Sequence, residues 1–209
     1  DAVQACGKVP LILDEKLIDL CSISAHKIHG IKGTGMLFVR DGLELSPLLS
    51  GGEQEGNLRS GTENTGGIVS FAKALRMHME DSRQKLAIME ENQVFLRREL
   101  EKIEGVTVHT PIRDHAPHIL NFSVQDFKGE VLIHALDRHE VYVSTTSACS
   151  SKQSKPSQTL LSMGVPDNLA SNSVRISLSF HNTMEECQEF ITLLTNEIDL
   201  LQHTMRRSR

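Results

Sequence analysis

Short apolar runs bounded by turn residues open the chain, and each run predicts a β-strand. Residues 18–23 and 35–40 are two such runs, and residues 47–49 form a shorter third. The loop between the first two, "HKIHGIKGT", is rich in glycine, so its backbone adopts conformations that other residues avoid. A second loop, "EQEGNLRSGTENTGG", spans roughly 15 residues, and irregular segments of that length within compact domains are commonly functional.

Apolar residues then recur at helical spacing from residue 68 to about residue 103. A run of ~36 residues is longer than a typical helix, so we predict a break near Asp81 and Ser82. We take the same break as a domain boundary. The chain is therefore expected to consist of two domains, residues 1–81 and residues 82–209.

Strands and helices alternate after Gly105. The segments predicted as strands are "VTVHT", "HILNFSV", "VYVST" and "SVRISLSF". The segments predicted as helices are "GEVLIHALDRH", "KPSQTLLSMG" and a long final helix, whose apolar residues recur every three or four positions and whose start has a capping box of Thr183 and Glu186. This order predicts a small α+β domain with helices on one face of a mixed sheet.

Composition and charge narrow the class of protein. Hydrophobic residues make up 39% of the chain and charged residues 23%, which is typical of a folded protein and excludes a disordered one. The net charge of -5 disfavours non-specific binding to nucleic acid. No apolar run approaches the ~20 residues of a membrane span, and no signal segment opens the chain. We therefore expect a cytoplasmic protein that binds neither membranes nor nucleic acid directly.

The cysteines and histidines do not form a recognisable metal motif. The four cysteines are scattered without a CxxC pair, which is typical of thiols in a reducing cytosol. The pairs His26/His29 and His115/His118 have ligand-like spacing, but no third ligand is suitably placed, so we predict no metal site. The segment "GIKGTG" lacks the GK[ST] ending of a phosphate-binding loop.

Lys27 is the first candidate for chemistry, in the stretch "SAHKIHG". A lysine amine forms a Schiff base with a carbonyl group only when it is neutral for part of the time, and partial burial favours the neutral form. A lysine at a strand end beside a histidine and a glycine-rich loop suits that role. The alternative is a solvated loop lysine, which is the usual state of this residue type.

Cys149 and Arg175 are the other two candidates. Cys149 lies in the Ser/Thr-rich stretch "STTSACSSK", where neighbouring lysines favour the thiolate, although a loop cysteine is more often inert. Arg175 lies within a β-branched strand and needs an anionic partner there, either a structural carboxylate or the carboxylate of a substrate.

Five segments occur in the order and approximate spacing of one enzyme family. They are "DAVQACGKVPLIL", "SISAHKIHGIKGTGMLFVR", "GGEQEGNLRSGTENT", "STTSACSSK" and "SVRISLS". The chain thereby resembles the cysteine desulfurases, which are fold-type I enzymes dependent on pyridoxal 5′-phosphate (PLP), along essentially its whole length. The resemblance implies an α/β fold: residues 1–81 are the remainder of the PLP-binding large domain, and residues 82–209 are a small α+β domain carrying the Cys149 loop.

The resemblance also implies roles for five residues near the cofactor. Asp1 is similar to the aspartate that pairs with the pyridine nitrogen of PLP, and Gln4 to the glutamine near its phenolic oxygen. Ser24 and His26 match phosphate ligands. Lys27 matches the Schiff-base lysine. The resemblance implies that its amine, once displaced by the substrate, acts as the general base.

Three further residues match the family's substrate and subunit contacts. Thr62 is similar to the threonine that reaches the phosphate of a neighbouring subunit, which implies a homodimer. Arg175 matches the arginine that grips the substrate carboxylate, and Cys149 matches the nucleophile. The implied reaction removes sulfur from L-cysteine, leaves a persulfide on Cys149 and releases L-alanine. A mobile loop over residues 147–157 is expected to carry the persulfide to an acceptor protein.

The resemblance leaves alternatives for the function. The acceptor belongs to tRNA thiolation, thiamine synthesis or iron–sulfur assembly, and "STTSACSSK" looks more like the first two. A selenocysteine lyase, or another class-V aminotransferase-like PLP enzyme, is a rival on the same scaffold. An inactive domain that only binds partners is a rival of another class.

Two features of the sequence depart from the family pattern. Thr145 and Thr146 stand where the family has a small Ser-Gly step. The chain also opens without methionine, and the family's ring-stacking histidine and Gly-Thr phosphate loop would precede its first residue. We therefore expect a fragment that holds PLP poorly and shows no desulfurase turnover by itself.

Overall fold

The computed structural model of the chain describes residues 1–14, 16–145 and 156–207. The chain divides into two compact units, Asp1–Arg83 and Gln84–Arg209. Within the described ranges, none of the helices combines the length and the apolar character that crossing a membrane requires.

The first unit is built on an antiparallel hairpin. Strand β1 (Leu20–Ser24) pairs with strand β2 (Gly35–Val39). Alternate residues of β1, Cys21 and Ile23, are buried, as expected for a strand with one face on a core. The strands predicted at residues 18–23 and 35–40 are therefore confirmed.

The core of this unit is assembled from three parts of the sequence. The first residues lie beside β1, where the Ala2 amide donates to the Ser22 carbonyl oxygen at 2.9 Å. Helix α1 (Thr65–Met79) contributes Phe71 to the same core. The buried apolar residues of the unit are Ala2, Cys6, Cys21, Ile23, Ala25, Ile28 and Phe71.

The prediction of a strand at residues 47–49 is wrong. Only an isolated bridge joins Leu49 to Arg59 there. Leu48 is 89% exposed, and Pro47 has no amide hydrogen to donate, so this apolar run has no sheet to join. The loop that follows is irregular as expected, apart from a 3₁₀ turn at Gln54–Asn57.

The long helical pattern is interrupted where the sequence predicts it. Helix α1 ends at Met79 and helix α2 (Ser82–Leu100) begins three residues later. Asp81 lies between them with a φ of 54°, which is a left-handed conformation that no helix interior adopts. The predicted break is therefore confirmed. The assignment of residues 1–81 to a large domain and residues 82–209 to a small domain stays a prediction.

The described residues of the second unit form a three-stranded sheet in the order β3–β4–β5. The strands are β3 (Val106–Val108), β4 (Ile119–Val124) and β5 (Ser173–Ser177). Both pairings are antiparallel, so the mixed sheet expected from the sequence is wrong for the described part of the chain. The expected strand "VYVST" is also wrong, because only Ser144 bridges Arg175 and Tyr142 is 78% exposed.

Among the described residues, four helices follow the central strand β4. They are α3 (Gly129–Asp137), α4 (Gln158–Ser162), α5 (Asp167–Ser171) and α6 (Met184–Arg207). The sequence predicts α3, α4 and α6 but not α5. The capping box of α6 is confirmed: the Thr183 amide donates to Glu186 Oε2 at 3.0 Å, and the Glu186 amide donates to Thr183 Oγ1 at 3.2 Å.

One face of this sheet carries the core of the second unit. Leu120 and Phe122 of β4 and Val174 of β5 are fully buried there. They pack with the helical residues Leu96, Leu100, Leu132, Leu136, Leu194 and Ile198. Because strand residues alternate between faces, the side chains between these apolar positions lie on the opposite face. Those side chains are polar, and they include Arg175.

Candidate active site

Lys27 lies on a single 3₁₀ turn, Ala25–Ile28, that follows β1 directly. Residues three positions apart are eclipsed in a 3₁₀ turn. Ala25 is fully buried and Ile28 is 1% exposed, so the turn has one face fixed in the core. His26 and Lys27 therefore project outward, and both side chains are exposed.

The loop after this turn is closed by backbone hydrogen bonds. The carbonyl oxygen of Ala25 accepts the amides of both His29 and Gly30, the latter at 2.8 Å. His29 takes the left-handed conformation, with a φ of 66°. A Cβ atom on Gly30 would lie 2.9 Å from the Ala25 oxygen, which is closer than real Cβ atoms approach. The sequence therefore needs glycine at residue 30 for close approach of the backbone.

The donors on this turn fit a phosphorylated aldehyde such as PLP. Ser24 ends β1, and its hydroxyl makes no capping hydrogen bond to the turn, although the residue occupies the capping position. The Ser24 hydroxyl and the His26 ring can donate hydrogen bonds to a phosphate, and the Lys27 amine is the group that reacts with an aldehyde. The structure thus brings Ser24, His26 and Lys27 together on four consecutive residues.

Asp1 and Gln4 lie in the segment anchored beside β1. One oxygen of the Asp1 carboxylate, Oδ1, accepts the Val3 amide at 2.7 Å, which leaves the second oxygen for another donor. Both Asp1 and Gln4 are exposed. Since Ala2 is hydrogen-bonded to Ser22, this segment and the strand that leads to Lys27 are held side by side.

His78 of helix α1 fixes the same segment from its far end. The ring nitrogen Nε2 lies 2.8 Å from the carbonyl oxygen of Gly7, and the His78 and His29 ring centroids are 6.2 Å apart. Gly7 has a φ of 69°, and a Cβ there would overlap the His78 ring. We did not predict this contact from the sequence. No local signal in the sequence indicates it, because it joins residues 71 positions apart and His78 lies in an ordinary helical pattern.

Thr62 lies elsewhere in the first unit. It follows Gly61 in the irregular loop that precedes α1, and its side chain is exposed. The structure does not place it on the 3₁₀ turn with Ser24, His26 and Lys27. An exposed position is what a contact to a neighbouring subunit requires.

Arg175 occupies the middle of β5 in the second unit. No carboxylate of the described residues lies within ion-pair distance of its guanidinium, and its Nε atom is buried without a hydrogen-bond partner there. Of the two partners that the sequence left open, the structural carboxylate is therefore not found among the described ranges. Asn121, which lies opposite Arg175 on β4, is a neighbour that the sequence reasoning missed.

Cys149 lies outside the described residues, as does most of the 147–157 loop. The other three cysteines are buried. Burial raises the pKa of the Cys187 thiol to about 11, and burial together with the neighbouring Cys21 raises the pKa of the Cys6 thiol. A thiol with a raised pKa has little thiolate at neutral pH and is a poor nucleophile.

Comparison with known proteins gives one family for almost the whole chain. The family model described as "Aminotransferase class-V" matches residues 1–190. A "NifS/IcsS protein homolog" of Lactobacillus delbrueckii subsp. bulgaricus is 42% identical over 199 residues, which are 91% of this chain and 50% of that protein. A "Cysteine desulfurase IscS" of Dictyoglomus turgidum is 39% identical over 203 residues, which are 97% of this chain and 52% of that protein. The chain thus spans about half the length of the curated relatives it matches.

Solved structures agree with this result. A structure titled "NIFS-LIKE PROTEIN" superimposes with a TM-score of 0.84 at 34% identity, over 96% of this chain and 52% of that one. The NifS-like protein from Rickettsia africae superimposes with a TM-score of 0.83 at 27% identity, over 95% of this chain. The α/β fold expected from the resemblance is therefore confirmed.

Proposed function

Since the chain belongs to the aminotransferase class-V family, we propose that it supplies Lys27, Cys149 and Arg175 to a PLP-dependent cysteine desulfurase. The observation that carries the proposal is the 3₁₀ turn that buries Ala25 and Ile28 and turns the Lys27 amine outward beside Ser24 and His26. The relatives named as cysteine desulfurases support the choice of L-cysteine as substrate.

PLP, when bound, supplies an electron sink for the carbon from which the α-proton leaves. The residues of this chain would bind and orient the cofactor. The Ser24 hydroxyl and the His26 ring would donate to its phosphate, and the free oxygen of the Asp1 carboxylate would accept from its protonated ring nitrogen. Gln4 lies on the same anchored segment as Asp1 and would contact the phenolic oxygen. The Lys27 amine would hold the cofactor at its aldehyde carbon and, as a free amine, would take the α-proton of the substrate.

Arg175 orients the substrate in this proposal. A guanidinium binds a carboxylate through two parallel N–H donors, which fixes the direction of the bound molecule as well as its position. No carboxylate of the described residues pairs with Arg175, which supports this role. Substrates that lack a carboxylate should therefore bind poorly.

Cys149 takes the sulfur. Its thiolate attacks the sulfur atom of the substrate, so that an S–S bond forms while the C–S bond breaks. The electron pair of the broken bond stays with the carbon skeleton, which takes up protons and leaves as L-alanine. The product on the protein is a Cys149 persulfide, which passes its outer sulfur to an acceptor protein in tRNA thiolation, thiamine synthesis or iron–sulfur assembly. We place this chemistry in the reducing cytoplasm, where thiols remain free.

The active protein is proposed to be a homodimer. Thr62 is exposed on the loop before α1, and a hydroxyl in that position can donate to the phosphate held by a second copy. Each site would then be completed by its neighbour. Thr62→Ala is expected to weaken PLP retention without changing which lysine binds it.

A chimera tests the proposed activity. This chain replaces the matched half of the Lactobacillus relative, and L-alanine release from L-cysteine is measured after loading with PLP. We expect turnover by the chimera and none by the 209-residue chain alone. Cys149→Ser should abolish turnover, whereas Cys187→Ser alters a buried thiol of α6 and should leave the reaction in place if the protein folds.

Two outcomes would contradict the proposal. A PLP-loaded dimeric chimera that releases no alanine would favour a domain that only binds partners. Full activity of Cys149→Ser on cysteine would exclude the persulfide route and favour a lyase or an aminotransferase-like reaction. Selenocysteine offered in parallel with cysteine separates the lyase from the others.

A further inference from the structure

The polar face of the second unit's sheet contains a directly opposed pair, Asn121 on β4 and Arg175 on β5. Their neighbours along the two strands, Leu120, Phe122 and Val174, lie on the opposite face in the core. Asn121 and Arg175 therefore share one face of the sheet. Residues that face each other across two strands are the closest side-chain neighbours a sheet provides.

The backbone hydrogen bonds show which kind of pair this is. The Asn121 amide donates to Thr110 Oγ1 at 2.8 Å, and its carbonyl oxygen accepts the His109 amide at 2.8 Å. Both backbone groups of Arg175 are used by Ser144, at 2.6 and 3.1 Å. The main-chain groups of the two residues thus bond away from each other. In such a non-hydrogen-bonded pair the Cα atoms are about 4.5 Å apart and the side chains approach most closely.

Two complementary polar atoms of this pair lack partners. Asn121 Oδ1 is a buried acceptor, Arg175 Nε carries a buried donor hydrogen, and neither has a hydrogen-bond partner among the described residues. A buried polar group left unpaired costs about 1–3 kcal/mol, and more when it is charged. Rotation of two directly opposed side chains is the simplest way to satisfy both atoms.

We propose that Asn121 is a positioning residue for Arg175: its Oδ1 accepts the Nε hydrogen, which fixes the guanidinium plane and directs the two terminal nitrogens at the substrate carboxylate. This rests on the proposed function for the identity of the carboxylate. A guanidinium that binds a carboxylate through its terminal nitrogens leaves its Nε hydrogen unused. Asn121 supplies the acceptor for that hydrogen and carries no charge that would compete with the substrate.

Other polar groups on this face are less suited to the role. The Ser123 hydroxyl lies 2.9 Å from His109 Nε2 and is already engaged. Ser173 has an unpaired buried hydroxyl, but it lies two residues from Arg175 along the same strand, at a greater distance than the opposed residue. Ser173→Ala is therefore a matched control, because it removes a buried polar atom from the same face.

Nuclear magnetic resonance of the 209-residue chain tests the pairing directly. The measured quantity is the exchange rate of the Arg175 Nε hydrogen with water in a chain labelled with ¹⁵N-arginine. Asn121→Ala should accelerate this exchange about tenfold or more, because a hydrogen bond to a charged group contributes about 1.5–3 kcal/mol. Asn121→Asp keeps an oxygen in place and should retain slow exchange, and Ser173→Ala should match the unaltered chain. Equal exchange rates in Asn121→Ala and the unaltered chain would overturn the proposal.

Kinetics of the active chimera test the consequence for substrate binding. Asn121→Ala should raise KM for L-cysteine about tenfold with little change in kcat, because the residue acts on carboxylate binding and not on the reacting atoms. The same change should leave KM for cysteine methyl ester unaltered. An unchanged KM for L-cysteine would also overturn the proposal. The exchange measurement needs no turnover, so failure of the desulfurase assignment and failure of the pairing are distinguishable.

Discussion

The Gly30 amide donates to the carbonyl oxygen of Ala25 at 2.8 Å, and this hydrogen bond closes the turn that presents Lys27. The contact is possible because residue 30 has no side chain. Ala25 is itself fully buried, so the oxygen cannot move away. The outward direction of the Lys27 amine thus depends on the buried Ala25 before it and on Gly30 after it.

Gly30→Ala should disturb this turn. The new Cβ would lie 2.9 Å from the Ala25 oxygen and 3.0 Å from the Ala25 Cβ, so the backbone must shift. Overpacking of this kind costs about 1–3 kcal/mol. We expect a corresponding loss in the free energy of unfolding by urea and weaker PLP retention in the chimera. Gly66→Ala is the control: it lies in α1 with open space around it, and it should leave both quantities unchanged or improve stability.

Gly7 and His78 should be energetically coupled. Gly7→Ala forces an alanine into a left-handed conformation and brings its Cβ into the His78 ring, so it should destabilise the chain strongly. In a His78→Ala background the overlap is gone and only the conformational strain remains. The double-mutant cycle, measured by urea unfolding, should give a coupling of about 1–3 kcal/mol. Strict additivity of the two changes would show that the ring does not occupy this space.

Removing the buried carboxylate of Glu197 should cost less free energy of unfolding than removing its two partners. Glu197 on α6 is only 6% exposed and bonds to Arg138 Nη2 at 2.9 Å and to His139 Nε2 at 2.7 Å. Removing both partners leaves a buried charge unpaired, and we expect Arg138→Gln with His139→Gln to cost about 2–4 kcal/mol. Glu197→Gln leaves two side chains that reach solvent, so it should cost about 1 kcal/mol. Urea unfolding of the variants measures both costs, and an equal cost for the two would contradict this account.

Cys187 gives a pH dependence of known sign. Burial raises the pKa of its thiol from an ordinary value of 9.0 to about 11 in the folded chain. The folded state therefore holds this proton more tightly than the unfolded state does. The resulting stabilisation is fully present below pH 9 and is lost as the pH rises to about 11. Between these pH values the free energy of unfolding should fall less steeply in Cys187→Ala than in the unaltered chain. Parallel slopes for the two proteins would argue against a buried, protonated thiol.

The sequence predicts elements that are defined by local pattern. The hairpin strands β1 and β2, the break at Asp81 and the capping box of α6 each follow from residues within a few positions of one another. The turn that carries Lys27 is only four residues long, too short to give a periodic pattern, although its glycine-rich continuation is visible.

The features that the sequence does not predict depend on distant partners. The run at residues 47–49 has apolar residues but no strand to pair with, and the segment "VYVST" meets β5 only at Ser144. The pair of Asn121 with Arg175 requires the register of two strands that are 54 positions apart at these residues, from 175 − 121. No local signal in the sequence specifies that register.

Identification of the lysine that binds PLP tests the central claim most directly. The PLP-loaded chimera is reduced with borohydride and digested, and the lysine that carries the cofactor is located by mass spectrometry. We predict a single modified site at Lys27, lost in Lys27→Ala and retained in Lys32→Ala, since Lys32 is an exposed lysine of the same loop. Modification at another lysine, or at the same level in Lys27→Ala, would contradict the account.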